Sequence, residues 1–218
     1  MLYIVSTPIG NLDDITLRAL KILENVDFVA CEDTRKTGIL LAHFNLKKKL
    51  ISYHSHSGEM KGEKIIELLK SGNSIALVSD AGTPGISDPG YPLIQKAIEE
   101  NIEIIPIPGA SAFLTCLQAS GMQANHFTYL GFLPIKKGRK TLLEKLKQKE
   151  HPVIIYESVH RIEKTLSELK EIFGENHQAV VGRELTKKFE EIKRGNFGEM
   201  YKYFQNKEKQ KGEFVIIF

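Results

Sequence analysis

Short runs of β-branched and aliphatic residues alternate along the chain with stretches whose apolar positions recur every three or four residues. That alternation predicts crossover units around a mainly parallel sheet. Residues 2–6, 27–31, 50–53, 75–79 and 102–107 read as strands, several of them apolar on both faces as buried parallel strands are. Between them Ile15, Leu17, Leu20 and Leu23 mark one helical face, Ile65, Ile66, Leu68 and Leu69 a second, and Leu93, Ile94, Ala97 and Ile98 a third. From about His126 the pattern restarts with a strand over 127–132, a helix over 141–149, a strand over 153–157 and a helix over 161–173. Strands over 179–184, 191–194 and 213–218 follow, and polar residues 206–211 read as a solvated turn. The break falls near residues 122–125, so the chain reads as α/β, with small α/β domains over 1–122 and 123–218.

Size agrees, since 218 residues leave each domain about a hundred. Lys+Arg 30 against Asp+Glu 27 gives a net charge of +3, too small to announce a nucleic-acid partner, so any basic surface must be local. Cys31 and Cys116 lack CxxC spacing, which argues against a disulfide framework or a zinc ribbon and suits reduced, buried thiols. The N-terminus has no basic region before its apolar run, and no apolar stretch approaches the ~18 residues of a membrane span. A cytoplasmic protein without membrane contact is expected.

The most informative segment of the first half is Ser79-Asp80-Ala81-Gly82-Thr83-Pro84-Gly85-Ile86-Ser87-Asp88-Pro89-Gly90, between an apolar strand and a helix. Carboxyl ends of strands in open α/β sheets are where ligands bind. Its glycines let backbone approach a ligand, and its prolines stiffen the loop. It lacks the Lys of a phosphate loop and the GxGxxG of a dinucleotide site, and offers Asp80 and Asp88 instead. Carboxylates repel phosphate and suit hydroxyls, an ammonium or a sulfonium, groups that S-adenosylmethionine combines. Two more small-residue loops follow strands, Ser6-Thr7-Pro8-Ile9-Gly10-Asn11 and Pro106-Ile107-Pro108-Gly109-Ala110-Ser111-Ala112, and should meet the first at the same sheet edge.

Together with Cys31-Glu32-Asp33-Thr34-Arg35, Tyr156-Glu157-Ser158-Val159-His160-Arg161 and Gly182-Arg183-Glu184-Leu185-Thr186-Lys187, these blocks run in order over almost the whole chain. In this the sequence resembles the ribosomal RNA small subunit methyltransferase I family of the tetrapyrrole methylase superfamily. The resemblance implies two domains with S-adenosylmethionine in the cleft between them, a homodimer, and 2′-O-methylation of a decoding-centre cytidine of 16S ribosomal RNA, free or in the 30S particle. It assigns the donor to Pro8, Asp80, Gly82, Thr83, Pro84, Gly85, Ser87, Asp88, Pro108, Gly109, Ala110, Ser111, Ala112 and Tyr156. Two departures stand out. His54-Ser55-His56-Ser57-Gly58 replaces the family's usual His-x-His-Asn-Glu, and the family commonly continues into a small helical domain where this chain ends at Phe218.

Methyl transfer needs the donor held in line with the acceptor oxygen, a route for the hydroxyl proton, and cations for the RNA backbone. Glu184 and Glu157, at strand ends of the second domain, and His160 are the candidates for the proton. Both carboxylates have an arginine at hand, Arg183 or Arg161, with which a plain ion pair would form. Lys136, Lys137, Arg139 and Lys140 make the densest basic cluster and, with Arg35, Arg161, Arg183 and Lys187, are the candidate phosphate contacts. No RNP-type aromatic motif appears. His54 and His56 would share a strand face, but with no third ligand near them no metal is expected. Two other readings fit parts of the pattern: a methylase acting on a tetrapyrrole, and a non-enzymatic RNA-binding or ribosome-assembly protein.

Overall fold

The structure, a computed structural model, describes residues 1–54 and 58–218, without the side chains of 58 and 59. The chain divides into two compact units, Met1–Ser111 and Ala112–Phe218.

The first unit runs β1 (Leu2–Val5), α1 (Leu17–Asn25), β2 (Phe28–Cys31), α2 (Thr34–His43), β3 (Lys49–Ser52), α3 (Gly58–Lys70), β4 (Ile75–Val78), α4 (Tyr91–Glu99) and β5 (Ile104–Ile107). All five strands are parallel, in the order β3-β2-β4-β1-β5. Helices cover both faces. Ala19, Leu23 and Leu41 pack on Val5, Val29, Cys31 and Val78, while Ile65, Leu69, Leu93 and Ala97 pack on Leu2, Ala30, Ile75 and Leu77. Strand β4, central in the sheet, is accordingly buried at every position.

Helix α1 starts where the Thr16 side chain accepts the Ala19 N–H at 3.0 Å. Its core stripe therefore runs through Ala19 and Leu23, and Leu17, expected on the inner face, is exposed at the first turn. Ile98 of α4 is likewise outside. The periodicity did not announce α2, whose Arg35, Lys36 and Gly38 dilute the apolar stripe left by Leu40 and Leu41.

The order of the strands creates the site. From β1 the chain steps through α1 and α2 towards one edge of the sheet, then returns through α3 and α4 towards the other, on the opposite face. The connections leaving the adjacent strands β1 and β4 thus part to opposite faces, opening a crevice above their carboxyl ends.

The second unit comprises α5 (Ala112–Gln118), β6 (Thr128–Phe132), α6 (Arg139–Leu146), β7 (Val153–Glu157), α7 (Ile162–Phe173), β8 (Gln178–Arg183), β9 (Glu191–Asn196), α8 (Phe197–Phe204) and β10 (Phe214–Ile217). The boundary between the units thus lies ahead of residues 122–125, because α5 contacts β7 and β10 and buries Cys116 and Leu117. The sheet order is β6-β7-β10-β8-β9, and only β6 and β7 pair in parallel. The expectation of a mainly parallel sheet therefore fails here. The short connection from β8 to β9 cannot make a crossover, and the last strand inserts antiparallel between β7 and β8. Helices α6, α7 and α8 bury Leu143, Leu166, Leu169, Met200 and Phe204 against Val153, Ile155, Val181 and Ile216. Among the described residues no helix is long and apolar enough to cross a membrane.

Candidate functional site

The three small-residue loops of the first unit meet at the crevice above β1 and β4, as their places after parallel strands require. Thr7 N–H donates to Gly82 O at 2.8 Å and Gly82 N–H to Thr7 O at 3.0 Å, an isolated bridge across the switch point. The Ser6 and Thr83 hydroxyls lie 2.9 Å apart, and Thr83 Oγ1 donates to Ala110 O at 3.5 Å. Gly82 has φ +83, a left-handed value that a side chain would strain. A Cβ on Gly109 would come within 2.8 Å of Ser6 Cβ, so the third loop can seat against the first only without a side chain. Pro8, Gly82 and Pro84 are buried in this knot, and Pro108 and Gly109 form its exposed rim, with Ala110, Ser111 and Ala112 following, half-buried.

The knot presents backbone and hydroxyl groups, and residues 79–90 and 106–112 contain no Lys or Arg. Ser87, at φ +62, stands exposed beyond Gly85, with half-buried Asp88 beside it. Loops of this composition fit a hydroxyl-bearing cation better than a phosphate ester. Asp80 is engaged within the unit. Its carboxylate accepts the Asp33 N–H at 3.0 Å and pairs with Lys36 at 2.9 Å, tying the start of α2 to the loop. The hydrogen bond to Asp80 holds the Lys36 ammonium above its ordinary range. Lys36 was not among the residues singled out from the sequence; the only signal was an acid on a loop facing the start of a Lys-bearing segment. Beside residues 87–90 opens a cavity of about 950 Å³, lined also by Glu32, Tyr53, His54, Tyr91 and Lys96. His56, with Ser55 and Ser57, lies outside the described residues. Among the described residues no group of three His, Cys, Asp or Glu side chains could hold a metal.

In the second unit, several residues expected to contact ligand have partners within the unit. Glu157 is 1% exposed, and its carboxylate accepts from Ser158 N–H at 2.7 Å and Thr165 Oγ1 at 2.6 Å and pairs with Arg161 at 2.8 Å. Arg139, expected on RNA phosphates, is buried. It donates to Glu168, to Thr165 Oγ1 and to the Pro134 carbonyl, while Arg161 donates to the Leu133 carbonyl. A buried guanidinium with these partners is held in place by the desolvation that leaving any of them unpaired would cost. Lys136, Lys137 and Lys140 by contrast are exposed.

Arg183 is buried as well, donating to the Lys211 carbonyl at 3.2 Å with Glu191 at 3.5 Å. Glu184, expected to pair with Arg183 if not catalytic, instead takes Lys187 at 2.9 Å and the Glu213 N–H at 3.1 Å, with its backbone at φ +49. Burial opposes the charge on Lys187, but Glu213 and Glu184 outweigh it and raise its pKa. Arg35 is largely exposed and grips Asp33 through both Nε and Nη2. His160 lines a groove with Glu163, Lys164 and Lys207, whose lining does not include Glu184 or Glu157. The Tyr156 hydroxyl accepts the Phe113 N–H at 3.2 Å in the first turn of α5.

Residues 1–201 match the model of the tetrapyrrole (corrin/porphyrin) methylases. A ribosomal RNA small subunit methyltransferase I from Halalkalibacterium halodurans is 48% identical over 217 residues, 99% of this chain and 74% of that protein. Its counterpart from Escherichia coli O157:H7 is 45% identical over 218 residues, 99% of this chain and 76% of that protein. Among solved structures, a uroporphyrin-III C-methyltransferase from Thermus thermophilus, complexed with S-adenosylhomocysteine, superposes with a TM-score of 0.66 at 15% identity, covering 99% of this chain and 96% of that one. At that identity the likeness carries the two-unit fold.

Proposed function

The chain belongs to the tetrapyrrole methylases and, within them, to the ribosomal RNA small subunit methyltransferase I group, and on that premise we propose that it methylates the ribose 2′-hydroxyl of a decoding-centre cytidine in 16S ribosomal RNA. The methyl donor is S-adenosylmethionine, whose sulfonium supplies an already activated methyl group. The observation that carries the reading is the knot of three loops at the switch point, free of Lys and Arg and rich in backbone and hydroxyl groups.

Gly82, Thr83, Gly85, Ser87 and Asp88, with Pro8 and residues 108–112, hold the donor, and the Asp80–Lys36 pair fixes the loop that carries them. The acceptor oxygen gains the methyl group and loses its proton. Glu184 is the residue proposed to take that proton: its carboxylate stays partly exposed, whereas both oxygens of Glu157 are engaged inside the unit. Lys136, Lys137 and Lys140 meet phosphates, joined by Arg35 and Lys187, while Arg139, Arg161 and Arg183 support the surface from within. The same reading makes the protein a cytoplasmic homodimer acting on RNA or the 30S particle.

Titration calorimetry with S-adenosylmethionine, followed by transfer of its labelled methyl group to small-subunit RNA and 30S particles, tests the reading. Binding with labelled RNA is expected. Binding with label on a porphyrinogen and none on RNA would assign a tetrapyrrole substrate, and absence of donor binding would leave an RNA-binding protein without this chemistry.

A further inference from the structure

Strand β6 carries a bulge. Its pairing with β7 runs Tyr129 to Ile154, then Gly131 to Ile155 and Phe132 to Tyr156, so Leu130 is extra on the β6 side. In an unbroken strand Tyr129 and Phe132, three apart, would point to opposite faces. A bulge re-aims the residues beyond it, and here both align with Ile154 and Tyr156, which share one face. The ring contacts agree: Tyr156 lies edge-on to Tyr129 at 5.4 Å and to Phe132 at 5.7 Å between centroids, and Phe113 stacks on Tyr129 at 4.4 Å. This aromatic row ends at Phe132, 52% exposed on the edge strand of the sheet.

The segment after Phe132 is basic and fixed. Leu133 turns into the core, and Ile135, Lys136 and Lys137 return to the surface. Arg161 and Arg139 hold the carbonyls of Leu133 and Pro134, each at 3.1 Å, and are themselves anchored by Glu157 and Glu168. An exposed aromatic ring, braced at its edge and continued by a clamped segment with two exposed lysines, is suited to a polyanion that also carries flat apolar faces. Unpaired nucleotides have that chemistry, and base–aromatic stacking tolerates any sequence.

We propose that Phe132 is a stacking platform for an unpaired base of the RNA substrate, with Lys136 and Lys137 on the adjoining phosphates. The proposal rests on the RNA-methyltransferase reading and adds to it a contact for which the sequence offers no known module. The lysine pair favours RNA over a second copy of the chain as the occupant.

The test uses the full chain and a short fluorescein-labelled pyrimidine single strand, read by anisotropy. Phe132→Leu should weaken binding roughly five- to a hundredfold without changing the salt slope, because no charge is lost. Phe132→Tyr should bind as wild type does, and affinity for S-adenosylmethionine should be untouched in both. Abasic sugars introduced singly into the strand should reproduce the loss at one position in wild type and cost nothing further there in Phe132→Leu. Wild-type affinity in Phe132→Leu would overturn the stacking role while leaving the function reading intact. A Phe132→Leu protein that loses self-association in sedimentation, with RNA affinity lost only in step, would assign the face to a second copy and also overturn it. A wild-type protein that neither binds nor methylates small-subunit RNA would instead remove the reading on which the proposal stands.

Discussion

Gly109 meets Ser6 so closely that a single methyl group has nowhere to go, its Cβ falling 2.8 Å from Ser6 Cβ. Gly109→Ala should therefore cut affinity for S-adenosylhomocysteine in calorimetry at least tenfold, with far less effect on the melting of the second unit; unaltered affinity would remove the third loop from the donor site. Glu184→Gln keeps size and hydrogen-bonding reach while removing basicity. It should lower single-turnover methyl transfer at saturating RNA by about 10²- to 10⁴-fold if the residue accepts the proton. A near-normal rate with reduced thermal stability would reduce Glu184 to a tie between Lys187 and Glu213. At this scale the sequence revealed which loops come together more readily than what each side chain does in them. Asp80 and Arg139 lie in segments singled out for chemistry, but the partners that occupy them, Lys36 for one and Glu168 with Thr165 for the other, come from distant segments that only the fold brings near.

The strands of the first unit were legible because a parallel sheet buried on both faces writes continuous apolar runs, as in the four buried residues of β4. The antiparallel arrangement of the second unit was not, because apolar runs of β7, β8 and β10 look alike whichever way neighbours run. Its elements carry two predictions. Arg139 joins α6 to α7 and to the segment before α6, so Arg139→Met should destabilise the protein by about 3 kcal/mol in denaturant unfolding, the scale expected when a buried pair loses one partner. A negligible change would show that the network adds little to stability. Cys116, on the buried face of α5, has its thiol pushed up to about 11 by burial. An unfolded thiol ionises from about pH 9, so folding stability should fall as pH rises from there towards 11, by about 1 kcal/mol per unit. Cys116→Ala should lose that increment of slope, and identical slopes in the two proteins would contradict it.

Over the whole molecule a net charge of +3 hides a local basic surface. Replacing Lys136, Lys137 and Lys140 by Ala should weaken RNA binding at every sequence and reduce the log-log salt slope by roughly 2 to 3 units, with donor affinity unchanged; an unaltered slope would make the cluster a solvated face. The central claim, a ribose methyl group placed on small-subunit ribosomal RNA, is tested most directly by mapping 2′-O-methylated positions in that RNA from cells lacking this protein and from the same cells complemented with it. One cytidine of the decoding centre should lack its 2′-O-methyl group in the first and regain it in the second. Identical maps from the two strains would contradict the account.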